Sequence, residues 1–455
     1  MKTKFLMKYL FLTVFALTQL TLFGQIAPAS SGNEKDEYNL GFEKVNPVSN
    51  SSLGWNTGIT KSGFKIGIDS AEKHSGKYAL LIENIDQNVA SNYAMTSLSI
   101  PAKFEGSEVE VKFYLKMQNV KEHIDFPFRI DDEDDDKLQF TNLLTERIYG
   151  TQNWKQYSLK LPLQKEASKI YLFPLLYGPG KMWIDDVQVL IDGVDISLAK
   201  IKPNYNPNAP KAINYGNNVA ASGKVKVKEA ELYYETYGKG DPLLLLHGNS
   251  QSINVFKKQI KEFSKTYKVI AVDTRGQGKS TDYISGPLSY NLYAEDMKIL
   301  LDSLHISKAN VLGWSDGGNT GLIMAAKYPD YVKKLAVSGA CTNPNEAVSA
   351  NTLKEVGDAI KSLKARDDKK SKYQVKLFTM LLTEPHITPG DLKSIKSPVL
   401  VMAGEKDMIL EKHTKFIADG IPKSQLFIFK GASHYVPVEK VSEFNNKVLV
   451  FLESN

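Results

Sequence analysis

Two kinds of hydrophobic patterning divide the chain. From about Glu34 to Gly193, apolar and polar positions alternate over short runs: KYALLIE at Lys77–Glu83, EVEVKFYLKM at Glu108–Met117, QYSLKL at Gln156–Leu161, then Lys169–Tyr177 and Lys181–Ile191. Gly, Pro and Asn punctuate these runs and helical periodicity is scarce. Many short strands without helices predict an all-β sandwich of the jelly-roll kind over residues 34–193. Residues 194–222 are dense in Asn and Pro and lack apolar periodicity, so they read as a linker or an irregular strap. From residue 223 to 455, strand-like runs alternate with helical ones. Pro242–Leu246 precedes Asn254–Ser264, Lys268–Val272 precedes Leu292–Leu304, and Asn310–Gly313 precedes Asn319–Lys327. Val332–Ser338, Val399–Ala403 and a terminal helix near Val438–Leu452 follow. This alternation predicts an α/β domain, with a mostly parallel, doubly wound sheet and helices on both faces.

The first residues change the expected location. Lys2, Lys4 and Lys8 precede an apolar run from Tyr9 to Phe23, and small residues follow. This is the layout of a secretory signal peptide, residues 1–24, with cleavage after Gly24, Gln25 or Ala29. The run is shorter than the roughly 20 apolar residues a membrane span needs. An uncleaved anchor is the alternative, and no other stretch is apolar enough to span a bilayer. The expectation is an exported bacterial protein, periplasmic or extracellular. A single cysteine, Cys341, excludes an intrachain disulfide, a Cys-rich zinc site and a CxxC redox pair. The formal charge of +6 falls to +3 without the three leader lysines, too little to imply a nucleic-acid partner.

The chemistry concentrates in Gly313-Trp-Ser-Asp-Gly-Gly318. A bare G-x-S-x-G is a weak signal, but this one follows the apolar strand NVLG and precedes the helical NTGLIMAAKYPD. That is the strand–turn–helix that projects a serine hydroxyl above a sheet. Ser315 needs a base to become nucleophilic. In this arrangement the acid and then the base follow in chain order. Three histidines lie beyond Ser315. His413 sits in a helical stretch and reads as a solvated face, and His386 sits in the segment that reads as a cap. His434 follows the strand QLFIFK in the loop KGASHYVP, at a carboxyl end where catalysts collect in open α/β sheets. His434 is therefore the expected base. The preceding strand PVLVMA runs into Gly404-Glu-Lys-Asp407, which makes Asp407 the expected acid and Glu405 the second choice. The oxyanion needs two N–H donors, expected from Asp316 and from Asn249 in the loop after Pro242–Leu246.

These residues, in the order LLLLHGN, DTRGQGKS at 273–280, GWSDGG, GEKD and GASH, resemble the α/β-hydrolase superfamily over about 225–453. GWSDGGNTGLIMAAKYPDYV is most similar to small serine hydrolases related to valacyclovir hydrolase and their bacterial esterase relatives. The resemblance implies Ser315 as nucleophile, Asp407 as acid, His434 as base, and Asn249 and Asp316 as oxyanion donors. The implied function is hydrolysis of a small-molecule carboxylic ester through an acyl-enzyme, with no cofactor required. Amides of the proline iminopeptidase kind come second, and a non-catalytic binding protein on the same folds is the contrasting class. Asp316 either pairs with a substrate ammonium, as its counterpart does in the amino-acid-ester branch, or acts only through its N–H. GQGKST is not a phosphate loop, because position 273 is Asp rather than Gly. Residues 341–397 occupy the family's cap position, with helical stretches at about Pro344–Leu363 and Lys369–Leu382. Eight basic residues between Lys354 and Lys376 read as a solvated helix face, or else as a bias toward anionic substrates. Cys341 reads as a small buried residue or as part of the pocket lining.

In the β region, NLGFE at 39–43, Trp55, HSGKYAL at 74–80, GTQNWKQY at 150–157 and GKMWIDDVQV at 180–189 resemble galactose-binding-like jelly rolls, the architecture of many carbohydrate-binding modules. The resemblance implies a glycan partner. Trp55, Trp154 and Trp183 either stack on sugars or fill the core. Glu43 with Asp186 or Asp185 could hold a structural calcium. The acidic run Asp131–Asp136 reads as a solvated loop.

Overall fold

Strand Glu108–Asp125 organises the first of two units, which ends at Ala212. Its side chains alternate as far as Met117, so Val109, Val111, Phe113, Leu115 and Met117 enter the core together. Ile148–Pro162 pairs along one edge, and Gly180–Ile191 followed by Leu175–Tyr177 along the other, all antiparallel. Phe64–Asp69, Ala79–Asn84, Tyr93–Pro101, Phe128–Asp131 and Lys137–Thr141 extend the sheet, again antiparallel. The run Lys169–Tyr177 is broken into Lys169–Leu172 and Leu175–Tyr177. Pro174 has no N–H to give to a ladder. The unit is thus all-β and antiparallel. The computed structural model describes residues 37–454 apart from 61–62, 85, 87–92 and 209–211, so the leader segment lies outside the described residues. No helix among the described residues is long and apolar enough to cross a membrane.

The second unit begins at Ile213. Both units draw on the Asn/Pro-rich stretch. Val194–Asp195 pairs with Leu190–Ile191 in the first. In the second, Tyr215 is buried, and the Gly216 and Asn218 N–H groups donate to the buried Glu235 carboxylate at 2.7 and 2.8 Å.

Eight strands form the sheet of this unit: β1 (Ser222–Val227), β2 (Ala230–Tyr237), β3 (Pro242–Leu246), β4 (Lys268–Val272), β5 (Ala309–Trp314), β6 (Val332–Ser338), β7 (Val399–Gly404) and β8 (Ser424–Phe429). Their order is β1-β2-β4-β3-β5-β6-β7-β8, with β1 and β2 antiparallel and the rest parallel. The central strands are apolar on both sides, as a sheet covered by helices requires. Leu244, Leu246, Val311 and Val337 pack with α2 (Tyr290–Ser303) and α3 (Asp316–Lys327). Leu243, Leu245, Leu312 and Ala336 pack with α1 (Lys257–Phe263) and the terminal helix. The parallel strands end on one edge, so the loops after β3, β5, β7 and β8 gather there. Between β6 and β7 stand α4 (Ala350–Lys364) and α5 (Lys369–Thr383), close to the two helical stretches expected of a cap.

The loop after β4 is anchored by Arg275, which is fully buried. Its guanidinium donates twice to Asp296 on α2, at 2.8 and 2.7 Å, and also reaches Asp282 and the Lys228 and Glu229 carbonyls. Removing one member of such a buried network leaves the others charged and unsatisfied. Arg275→Ala is therefore expected to destabilise this unit by about 3–5 kcal/mol, measured as the loss of unfolding free energy in urea.

Candidate active site

The turn between β5 and α3 is shaped by backbones that touch. A Cβ added to Gly317 would lie 1.9 Å from the Leu246 carbonyl oxygen of β3, and one added to Gly313 would lie 2.2 Å from the Gly317 oxygen. Only glycine permits that approach. Ser315 sits between them with φ 56° and ψ −117°, a conformation that side-chain-bearing residues rarely adopt and that stores about 1–3 kcal/mol. It is held from both sides: its N–H donates to the Ser338 carbonyl at 2.8 Å, and its carbonyl accepts from the Asn319 N–H at 3.0 Å. The side chain is thereby lifted off the sheet edge, beside Gly248, where an added Cβ would come within 3.2 Å of Ser315 Cβ.

The imidazole arrives from the loop after β8. His434 is buried, and its Nδ1 lies 2.7 Å from Asp407 Oδ1, in the loop after β7. Asp407 Oδ1 also accepts the Ile409 N–H at 2.9 Å. The Trp314 indole N–H, next to Ser315 in sequence, donates to the His434 carbonyl at 2.9 Å and fixes the loop. Gly339 lies under the pair: its added Cβ would meet His434 Cε1 at 2.6 Å, Nδ1 at 2.8 Å and Asp407 Oδ2 at 3.3 Å. Since the Ser338 carbonyl takes the Ser315 N–H, the end of β6 is a common spacer for serine, imidazole and carboxylate. Burial pushes the His434 pKa down, but the Asp407 charge and hydrogen bond more than reverse this and hold it above the usual histidine value. Glu405, the second choice for the acid, is exposed and accepts the Gly431 N–H instead.

The other histidines are elsewhere. His386 is exposed. His413 is buried, not on the solvated face its helical setting suggested. Its Nε2 accepts the Thr342 N–H at 3.0 Å, so α6 (Glu411–Gly420) turns this residue inward to hold the start of the cap. His247 is likewise buried, and its pKa is pushed down to about 4 by that burial. Its Nε2 accepts the Thr274 N–H, which leaves the proton on Nδ1 to donate to the Gly248 carbonyl at 2.7 Å. This neutral ring shapes the loop that carries Asn249.

Asn249 and Asp316 meet through their side chains. Asn249 Nδ2 donates to Asp316 Oδ2 at 3.0 Å, and the Tyr290 hydroxyl donates to Asp316 Oδ1 at 2.7 Å. Asp316 is fully enclosed, and burial pushes its pKa up to about 6 against the pull of those two donors. Among the described residues, neither the Asn249 nor the Asp316 main-chain N–H has a protein acceptor. The Asp316 N–H opens α3, where a helix leaves its first amides unpaired. Sequence reasoning missed Tyr290, Trp314 and Gly339. Trp314 fills a variable position of the Gly-x-Ser-x-Gly motif and Tyr290 stands in no motif, although glycine directly after a strand (VSGAC) hinted at a close approach.

Four of the eight cap cations are paired with aspartates. Lys354 and Lys361 pair with Asp358, Lys372 with Asp367, and Lys376 with Asp282. This matches a solvated and latched face better than an anion-selecting one. In the first unit, Glu43 accepts the Lys77 and Tyr78 N–H groups, Asp185 the His74 and Ser75 N–H groups, and Asp186 the Ser75 hydroxyl. These carboxylates tie down the 74–78 loop through N–H and O–H donors. Among the described residues, no group of three or more acidic, His or Cys side chains gathers to hold a metal. Trp55 and Trp183 are core residues and Trp154 is half-buried. In the acidic run, Asp132 accepts the Asp134 and Asp136 N–H groups within its own turn.

Such a strand order and elbow define an α/β hydrolase. A family profile described as alpha/beta hydrolase fold matches residues 241–369. The human protein named Serine hydrolase BPHL is 31% identical over 277 residues, a match covering 56% of this chain and 94% of that protein. A 2-hydroxy-6-oxononadienedioate/2-hydroxy-6-oxononatrienedioate hydrolase of Escherichia coli (strain K12) is 26% identical over 288 residues, covering 55% of this chain and 99% of that protein. The solved enol-lactonase of Burkholderia xenovorans LB400 superimposes with a TM-score of 0.43 at 21% identity, over 51% of this chain and 100% of that one. The chain belongs to the α/β hydrolase family and is a hydrolase of that type.

Cys341 is buried at the start of the cap, where its Sγ accepts from Asn319 Nδ2 at 3.7 Å, and burial pushes its thiol pKa up to about 12. The thiolate is the reactive form. The folded protein is therefore expected to resist iodoacetamide at pH 8, with Cys341 alkylated only once urea unfolds it, as read by intact-mass spectrometry.

Proposed function

We propose that this protein cleaves carboxylic esters by a Ser315–His434–Asp407 triad, and that it works outside the cytoplasm, in the periplasm or medium. The observation that carries the reading is the 2.7 Å His434–Asp407 contact, resting on the same β6 end that anchors Ser315. In this mechanism Ser315 Oγ attacks the ester carbonyl carbon while its proton passes to His434 Nε2. Asp407 keeps the other ring proton on Nδ1 and stabilises the imidazolium. The Asn249 and Asp316 N–H groups receive the oxyanion. The tetrahedral adduct collapses as His434 protonates the departing alkoxide. His434 then takes a proton from water, whose oxygen attacks the acyl-enzyme and releases the acid and free Ser315. A relative named as a serine hydrolase supports this choice of nucleophile. The leader pattern supports export. Both Asp316 oxygens accept hydrogen bonds from within the protein, which favours its role as a brace over pairing with a substrate ammonium.

A fluorophosphonate probe and a panel of p-nitrophenyl esters test the reading. Labelling and turnover are expected in the native protein, and both are expected to vanish in Ser315→Ala. A protein that neither labels nor turns over any ester would be a receptor instead, and faster turnover of aminoacyl amides than of esters would move it to the amidase class.

The pH profile is a separate check. The base acts only when neutral, so kcat/KM is expected to climb with pH through a value above the ordinary histidine pKa of about 6.5. Asp407→Asn removes the stronger of the two charges that raise that pKa, and its hydrogen bond, leaving only the weaker Asp316 charge against burial, which lowers it. The ascending limb should shift to lower pH while the plateau falls by about 10⁴-fold.

A further inference from the structure

We propose that Gln277, a buried residue outside the triad, is a positioning residue for ester cleavage. Together with Gln251 it clamps the loop after β3 on both sides of Asn249 and aims the Asn249 N–H at the oxyanion. Such a role presupposes the ester-cleaving reading and deepens it.

The loop runs through Gly248-Asn-Ser-Gln251. The Gly248 N–H donates to the Gln251 side-chain Oε1 at 2.9 Å, and the Gln251 N–H donates back to the Gly248 carbonyl at 3.3 Å. The Ser250 N–H donates to Gln277 Oε1, which comes from the loop after β4. Between these bonds stands the Asn249 N–H, without a protein acceptor among the described residues. Ser250 has φ 58°, in the left-handed region that serine does not favour, so the turn needs support from outside. Gln277 is only 4% exposed and gives that support from a fixed place.

Its carboxamide can face only one way. Nε2 donates to the Thr274 hydroxyl at 2.8 Å, which leaves Oε1 for Ser250. The Thr274 N–H donates to His247 Nε2 at 3.0 Å, and His247 Nδ1 donates to the Gly248 carbonyl at 2.7 Å. These bonds make a circuit that leaves the loop at Ser250 and returns to it at Gly248. The Gly248 carbonyl and the Asn249 N–H belong to one planar peptide and point opposite ways. Whatever holds that carbonyl therefore aims that N–H. A Cβ added to Gly248 would lie 2.9 Å from Gln251 Oε1 and 3.2 Å from Ser315 Cβ, so the clamped turn sits directly beside the serine. The glutamine of GQGKST, which is no phosphate loop, thus acquires a role. Donors of this kind speed a reaction only when they are aimed before the charge develops.

Steady-state kinetics on a p-nitrophenyl ester and the matching thionoester test the proposal, with fluorophosphonate labelling run to completion to count intact sites. Leucine at position 277 fills similar space but accepts nothing from Ser250. Acylation and deacylation both pass through an oxyanion, so kcat per site in Gln277→Leu is expected to fall about 10–100-fold, with far less change in KM. The ascending limb of the pH profile should stay in place, because the triad is untouched. Thiocarbonyl sulfur is a weak acceptor, so the native preference for the oxygen ester should narrow in the variant. Gln251→Leu, at a half-buried position, should give the same pattern, and it carries the test if Gln277→Leu does not fold. The proposal fails if the loss lies in KM alone, if the pH limb moves, or if the oxygen-to-sulfur preference is unchanged. A native protein that neither labels nor turns over the ester would instead remove the ester reading itself.

Discussion

Close passage of three backbones at the head of α3 is the constraint on which the reactive geometry depends. Gly317 presses on the Leu246 carbonyl, Gly313 presses on Gly317, and Ser315 is left with a positive φ that it would not choose alone. Strain of this kind persists only where its surroundings over-determine it. Here the surroundings are the parallel strands β3, β5 and β6, whose register puts Leu246 opposite Gly313 and Trp314 opposite Ser338. The same Ser338 carbonyl that pins the serine leads directly into Gly339, on which the His434 ring rests. Two glycines bring the chain close enough to form the elbow, and a third lets the imidazole and carboxylate come down beside it. Sheet register thus sets the position of groups that lie over a hundred residues apart in sequence.

Two buried carboxylates flank that imidazole, and the fold treats them differently. Asp407 is aimed at Nδ1 and raises the basicity of the ring. Asp316 is tied off by Tyr290 and Asn249, and burial brings its pKa up to about 6. A second free carboxylate on the Ser315 side would compete for the ring and hold it protonated. Hydrogen-bonding Asp316 to two donors spreads its charge, and it joins α3 to the loop after β3, the two segments that carry the N–H groups proposed to receive the oxyanion.

How much of this was legible depended on whether a feature is local. The apolar strand runs, the glycines around Ser315, and acid and base loops placed after strands in the right order are all local patterns, and the α/β unit follows from them. Pro174 splits a strand that alternation alone would have continued, because the pattern reports side-chain faces and not the missing N–H. His413 looked solvated within EKHTKFIADG, yet the partner that turns it inward is the amide of Thr342, some seventy residues away. Tyr290 and Gly339 were silent for the same reason: their value lies in what the fold brings to them. In the first unit, Trp55 and Trp183 could have been core or surface, since a tryptophan suits both. Packing decided for the core, where Trp183 still satisfies its N–H on Asp69.

The cap shows why substrate class is harder to read than fold. Its lysines look like a positive field in sequence, but four of them are spent on nearby aspartates. Lys376 does more than neutralise. With Tyr373, whose hydroxyl donates to the Arg275 carbonyl, it latches α5 onto the loop after β4 that Arg275 anchors. α5 in turn offers the Leu377 carbonyl to Asn249 Nδ2 at 3.4 Å, the same amide that braces Asp316. The seating of the cap and the alignment of the loop after β3 are therefore mechanically joined. If charge is consumed in holding the cap down, selection among substrates falls to the shape the seated cap leaves open, and shape is the property that residue identity along a chain encodes least directly.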